Sequence, residues 1–279
     1  MGTHHSHEDN MLDRGLQFDM SQLMSRRNAL KMLAGGAGAM FLAGCGVKNA
    51  GTIATTTTTT SVTGSAGGST TNEVIPTETA GPYPGDGSNG PDVLVESGIV
   101  RNDIRSSFGT STTTAEGVPL TINLKILDSN NENKAFAGAA VYLWHCDRDG
   151  KYSMYSSGVS NENYLRGVQV ADAGGNLSFT SIFPAAYDGR WPHIHFEVYE
   201  NVQTAVSSGQ IRKTSQMALP EDICEAVYAT SGYSASIRNL ARTSLATDNV
   251  FRDDSAAHQL ATVTGSVTDG YAASLNVVV

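Results

Sequence analysis

Tyr187-Asp188-Gly189-Arg190-Trp191-Pro192-His193-Ile194-His195-Phe196 is the stretch from which the rest of the chain can be read. Side chains alternate between faces along an extended strand, so His193 and His195 share one face and Ile194 takes the other. Two imidazoles on one strand face supply half of a metal site. The same spacing also occurs in solvated strands and in cores where each ring is satisfied by a hydrogen bond. The neighbouring sequence has to decide between these readings.

Working outward, the flanking segments are strand-like. Leu120, Ile122, Leu124 and Ile126 alternate with Thr121, Asn123 and Lys125, the period of a half-buried strand. Ala139 to Trp144 is an apolar run closed by the turn Asp147-Arg148-Asp149-Gly150. Val168 and Val170 precede Asp172-Ala173-Gly174-Gly175-Asn176, a hairpin-type connection to Leu177, Phe179 and Ser181. His193 to Tyr199 and Leu275 to Val279 are further strands, and helical character is confined to Glu221–Tyr228 and Ala241–Leu245. Short strands separated by glycine-containing turns predict an all-β fold, an antiparallel β-sandwich with long loops and little helix.

The chain has 279 residues and a formal net charge of -9, without a basic stripe, which argues against nucleic acid as a partner. Three cysteines are too few for a disulfide scaffold. Cys146 and Cys224 would be free to pair if the protein is exported. Three segments are expected. Residues 1–45 read as an export signal: Arg26-Arg27 stands before the weakly apolar run Met32–Leu42, in the manner of a twin-arginine address. Leu42-Ala43-Gly44-Cys45 resembles a bacterial lipoprotein box, which would anchor Cys45 to a membrane surface through lipid. Residues 46–72, with threonine unbroken from Thr55 to Thr60, have the composition of a flexible tether. Residues 73–279 form the folded domain, and the localisation expected is the cell envelope.

Tyr152 and Tyr187 both stand in turn contexts near the histidine strand. Two neutral imidazoles with two phenolates are a hard, dianionic donor set, better matched to Fe(III) than to Zn(II). Taken alone, each tyrosine could equally be a half-buried sandwich residue with its hydroxyl in water.

With those residues in place, the sequence resembles the intradiol ring-cleavage dioxygenases, non-haem Fe(III) enzymes that open catechols between the two hydroxyls. The resemblance rests on Glu78-Thr79-Ala80-Gly81-Pro82-Tyr83-Pro84, Arg101-Asn102-Asp103-Ile104-Arg105, Val141 to Asp147, Gly150-Lys151-Tyr152, Tyr164-Leu165-Arg166-Gly167, Phe183-Pro184 and Gly189 to Phe196. These blocks occur in the family's order over about residues 73–220. The resemblance implies Tyr152, Tyr187, His193 and His195 as iron ligands. It implies Tyr187 as the ligand released to accept a substrate proton, and Arg190 as the cation over the substrate ring. Gln216 would line the same pocket. The implied partners are a catechol-type aromatic and O2, the implied product is a cis,cis-muconate, and homo-oligomerisation is left open. The short spacing from Tyr187 to His193 resembles a small, exported, single-domain subgroup. For Gln216 the alternative is a plain loop or strand-edge residue, and for Arg190 a surface pair with Asp188. Trp144 is expected in the core, Arg166 in the frame with Asp172 as a candidate partner, and His145 at a surface or pocket rim. The rival function is an exported β-sandwich that binds carbohydrate or aromatic polymer without turnover.

Overall fold

The computed structural model describes residues 73–279; the signal, lipid-box and tether readings of residues 1–72 lie outside the described residues. Nine strands form two sheets: β1 (Pro119–Asp128), β2 (Lys134–Ala135), β3 (Ala140–Trp144), β4 (Arg166–Val170), β5 (Asn176–Ile182), β6 (His193–Tyr199), β7 (Ile211–Ala218), β8 (Thr262–Ser266) and β9 (Gly270–Val278). The four-stranded sheet runs β4-β3-β6-β7 and is antiparallel throughout. The other runs β2-β1-β9-β8, with β5 also paired to β1. Among the described residues there are three short α-helices, α1 (Val202–Ala205), α2 (Glu221–Tyr228) and α3 (Ser234–Leu240). Among the described residues no helix is long and apolar enough to cross a membrane.

The core between the sheets is built from alternation. Leu120, Ile122, Leu124 and Ile126 of β1 meet Val141 and Leu143 of β3 and Ile194, Phe196 and Val198 of β6. Each such fully buried side chain contributes about 2 kcal/mol of hydrophobic stabilisation. The opposite face of the four-stranded sheet is buried as well, by loops. Tyr142 and Trp144 of β3 and Val168 of β4 join Val93, Leu94, Tyr152 and Ala185 in a second apolar cluster. All seven residues of β6 are therefore buried.

Several expectations change. The sandwich is not wholly antiparallel, because β1 and β9 pair in parallel from Leu120↔Tyr271 to Leu127↔Val278. Side-chain alternation fixes which face is buried and is blind to strand direction. The helix lies earlier than the expected Ala241–Leu245: α3 spans Ser234–Leu240, with Ser236 and Leu240 as its buried residues. His145 is not at a surface: it is buried, between the Cys146 carbonyl and the Ser181 hydroxyl, each at 2.7 Å. Cys146 and Cys224 are both free, buried thiols.

The turn between β4 and β5 is held by Asp172, whose carboxylate accepts from the backbone N–H groups of Gly174 and Asn176, each at 2.8 Å. Gly175 takes φ +80, and a Cβ there would run into the Ile126 carbonyl oxygen. Gly175→Ala should lower the unfolding free energy by about 2 kcal/mol, read as an earlier denaturant midpoint.

Candidate metal centre

One turn and one rivet set the first half of the centre. The Asp147 carboxylate accepts from the N–H groups of Asp149 and Lys151, both at 2.9 Å, and curls the chain so that Tyr152 enters beneath the sheet face. Gly150, at φ +80, allows the closest approach: a Cβ there would sit 3.1 Å from Cβ of Tyr187. The Ala185 N–H donates to the Asp147 carbonyl at 3.2 Å, which ties the loop of Tyr187 to the loop of Tyr152.

The second half comes from β6. Its odd-numbered side chains point away from the inter-sheet core, so His193 and His195 face the two tyrosines. His195 stands in register with Trp144 on one neighbouring strand and Gln216 on the other. Its ring stacks on Trp144 at 4.9 Å and 6°. The Nδ1–H of His193 donates to the Trp191 carbonyl, which leaves Nε2 as a bare lone pair facing the centre. Around that Nε2 stand His195 Nε2 at 3.1 Å, Tyr187 Oη at 3.2 Å, Tyr152 Oη at 3.5 Å and Arg190 Nη1 at 3.4 Å.

Two imidazoles and two phenols thus converge on one point. Separations a little above 3 Å are those of ligands sharing one ion at bond lengths of about 2.1 Å. Among the described residues no group of three or more His, Cys, Asp or Glu side chains is gathered for a metal; this centre is of another kind, half of it phenolic. Its donors suit a hard, highly charged cation. Burial holds His193 and His195 well below the usual imidazole range, with the Arg190 charge adding to it. Burial also pushes the Tyr152 phenol well above its usual value, with Tyr187 beside it as the next cause. Burial therefore favours the neutral forms of His193, His195 and Tyr152, and a multivalent cation is what would ionise a buried phenol here. His195 Nδ1 is buried without a hydrogen-bond partner. Its Nε2, 3.1 Å from His193 Nε2, is the ring nitrogen turned toward the cluster.

All six residues singled out from sequence meet here. Arg190 is 2 % exposed and does not pair with Asp188: its Nε donates to Asp248 Oδ2 at 2.9 Å and its Nη2 to Gln216 Oε1 at 2.7 Å. Gln216 lies on β7, the edge strand of the four-stranded sheet, yet it is buried, and its Nε2 donates to the Thr79 carbonyl at 2.9 Å. Arg166 does not reach for Asp172; it donates to the carbonyls of Tyr83, Pro84 and Ser153 and to Tyr142 Oη, pinning the Pro82–Pro84 loop over the centre. The ring of Tyr83 lies 5.0 Å from that of Tyr152. Asp248 was not foreseen, because it sits in no motif and lies 58 residues beyond Arg190.

Comparison with known proteins gives the family. A family model described as "Dioxygenase" matches residues 89–263, more than half of the chain. The chain belongs to the intradiol ring-cleavage dioxygenases. The fold is similar to that of an intradiol ring-cleavage dioxygenase from Tetranychus urticae, at 24% identity and TM-score 0.59, covering 74% of this chain and 94% of that one. A second dioxygenase crystal structure aligns at 23% identity and TM-score 0.59, over 74% and 93%. A chlorocatechol 1,2-dioxygenase from Rhodococcus opacus is 37% identical over 51 residues, which is 18% of this chain and 20% of that enzyme. The match thus spans about a fifth of that curated relative. Intradiol ring-cleavage dioxygenases use non-haem Fe(III) and act on catechol-type rings.

One buried histidine near this cluster gives a pH signature. Burial pushes His145 down to about 4. An unfolded histidine titrates near 6.5, so the unfolded chain binds the proton first on acidification. The contribution is fully present above about pH 6.5 and is lost as pH falls through the window down to about 4, by on the order of 3 kcal/mol. His145→Gln should flatten that part of the stability profile, measured by denaturant unfolding at pH 7.5 and 4.5.

Proposed function

We propose that this protein is a ferric, non-haem dioxygenase that cleaves an aromatic 1,2-diol between its hydroxyls, using both atoms of O2 and giving a cis,cis-muconate-type diacid. The observation that carries the reading is the convergence of Tyr152, Tyr187, His193 and His195 on one point, with a buried arginine beside it. A carbohydrate- or polymer-binding sandwich would need no such cluster.

Tyr152, Tyr187, His193 and His195 would hold the iron, which supplies a Lewis-acid centre that favours ionised phenols and draws electron density from a bound catechol. The remaining work belongs to the chain. His193 and His195 stay neutral, and His193 keeps its Nε2 lone pair inward because Trp191 holds the opposite ring nitrogen. Tyr187 is the partly buried member of the four, whereas Tyr152, His193 and His195 are each 2 % exposed. By its match to the family's releasable ligand, Tyr187 is the group whose Oη would take a proton from an entering diol. Arg190 cannot ionise away its charge, and its Nη1 faces the centre, where it stabilises negative charge developing on the ring. Trp144 and Tyr83 close the sides with aromatic surface and restrict water.

Iron-loaded protein should be coloured by tyrosinate-to-iron charge transfer and should consume O2 with at least one of catechol, protocatechuate, hydroxyquinol or a chlorocatechol. Tyr152→Phe and Tyr187→Phe should each alter the visible band. A colourless protein that remains inactive after ferric loading would sink the reading.

Export to the cell envelope, by a twin-arginine route with lipid on Cys45, is the accompanying proposal, and it rests on Arg26-Arg27 and Leu42-Ala43-Gly44-Cys45 alone. In bacteria fed a labelled fatty acid, the wild-type chain should carry label and partition with membranes. Cys45→Ser should do neither; label retained by Cys45→Ser would refute lipidation there.

A further inference from the structure

We infer that Asp248 is a positioning residue of the centre, acting through Arg190. The inference rests on the dioxygenase reading above and adds to it a residue from a region, 221–256, outside every motif block of the sequence.

Asp248 is fully buried and both of its carboxylate oxygens are engaged twice. Oδ1 accepts from the N–H groups of Val250 at 2.8 Å and Phe251 at 3.1 Å, which fixes the carboxylate to its own turn. Oδ2 accepts from Arg190 Nε at 2.9 Å and from the Trp191 N–H at 2.7 Å. One side chain therefore holds both the guanidinium and the backbone that leads into β6, two residues before His193.

The guanidinium's geometry turns that clamp into an aim. Its nitrogens lie in one rigid plane, so fixing two of them fixes the third. Nε is held by Asp248, Nη2 by Gln216 at 2.7 Å, and Nη1 then falls 3.4 Å from His193 Nε2, toward the donor cluster. The guanidinium carbon also lies 6.0 Å from the ring centroid of Phe251, the residue whose N–H holds Asp248. Gln216 alone could not set the direction, since a single neutral contact leaves the plane free to rotate. A carboxylate also matches a buried cation that would otherwise be strongly unfavourable.

Asp248→Ala, Asp248→Asn, Arg190→Ala and the double variant Asp248→Ala/Arg190→Ala decide the matter, each as iron-loaded full-length protein. Asp248→Ala should lower kcat by roughly 10- to 100-fold, the scale for a misaimed group. Asp248→Asn, which keeps an oxygen for Arg190, should fall between Asp248→Ala and wild type. The double variant should match Arg190→Ala within about twofold in kcat, the sign of two residues acting as one unit. Two readouts apart from turnover separate aim from damage: the visible band of the substrate-free iron protein should be unchanged, and catechol affinity measured by absorbance under nitrogen should change less than kcat. Additive losses, a wild-type kcat in both single Asp248 variants, or an altered substrate-free band would overturn the inference. So would failure of both single variants to fold, which would assign Asp248 to the frame. An inactive wild-type protein after ferric loading would remove the dioxygenase reading itself and this inference with it, whereas an active wild type with additive losses removes only the inference.

Discussion

The centre depends on β6 being buried on both faces. Ile194, Phe196 and Val198 enter the inter-sheet core, while His193 and His195 enter the layer beneath the loops. The hydrophobic face fixes the register, because a slip of one residue would exchange the two sets entirely. Once it is fixed, Trp144, His195 and Gln216 stand in one row across three strands without further instruction. The same burial that locks the strand also removes water from the imidazoles and keeps them neutral, as metal donors must be.

Two buried arginines then organise the loops, in different ways. Arg166 is satisfied by carbonyls and hydroxyls from three separate segments, and so acts as a rivet between Tyr83, Pro84, Tyr142 and Ser153. Arg190 is satisfied by a carboxylate and an amide and keeps one edge of its plane toward the donor cluster. A cation held by neutral dipoles is a structural tie, whereas one matched by an anion and aimed at a cluster of ionisable phenols can respond to charge appearing there. Gly150 and the Asp147 turn complete the arrangement by letting two tyrosine-bearing loops touch.

Much of this was legible beforehand, and the reasons are local. β6 was read with the boundaries it has, since HxH with alternating apolar residues is a strand pattern whatever surrounds it. Tyr187 and Arg190 are legible because their motif runs straight into that strand, whereas Tyr152, 41 residues before His193, is legible through its own block, Gly150-Lys151-Tyr152. β7 was missed as a strand even though Gln216 was singled out within it, for Ile211 to Ala218 shows no clean alternation. His145, on the strand face opposite Trp144, reads as a surface or rim residue; Ser181 and the Cys146 carbonyl instead satisfy it inside.

The sequence by itself determined the two sheets' apolar faces, the donor types and the family, because these depend on side-chain chemistry and on contacts between near neighbours along the chain. Only the tertiary structure decided which way β9 runs against β1, that Gln216 faces the centre, and that Asp248 reaches Arg190 across 58 residues. Partners that far apart leave no period or spacing in the sequence: their meeting is set by how whole sheets and loops pack, which no local pattern encodes.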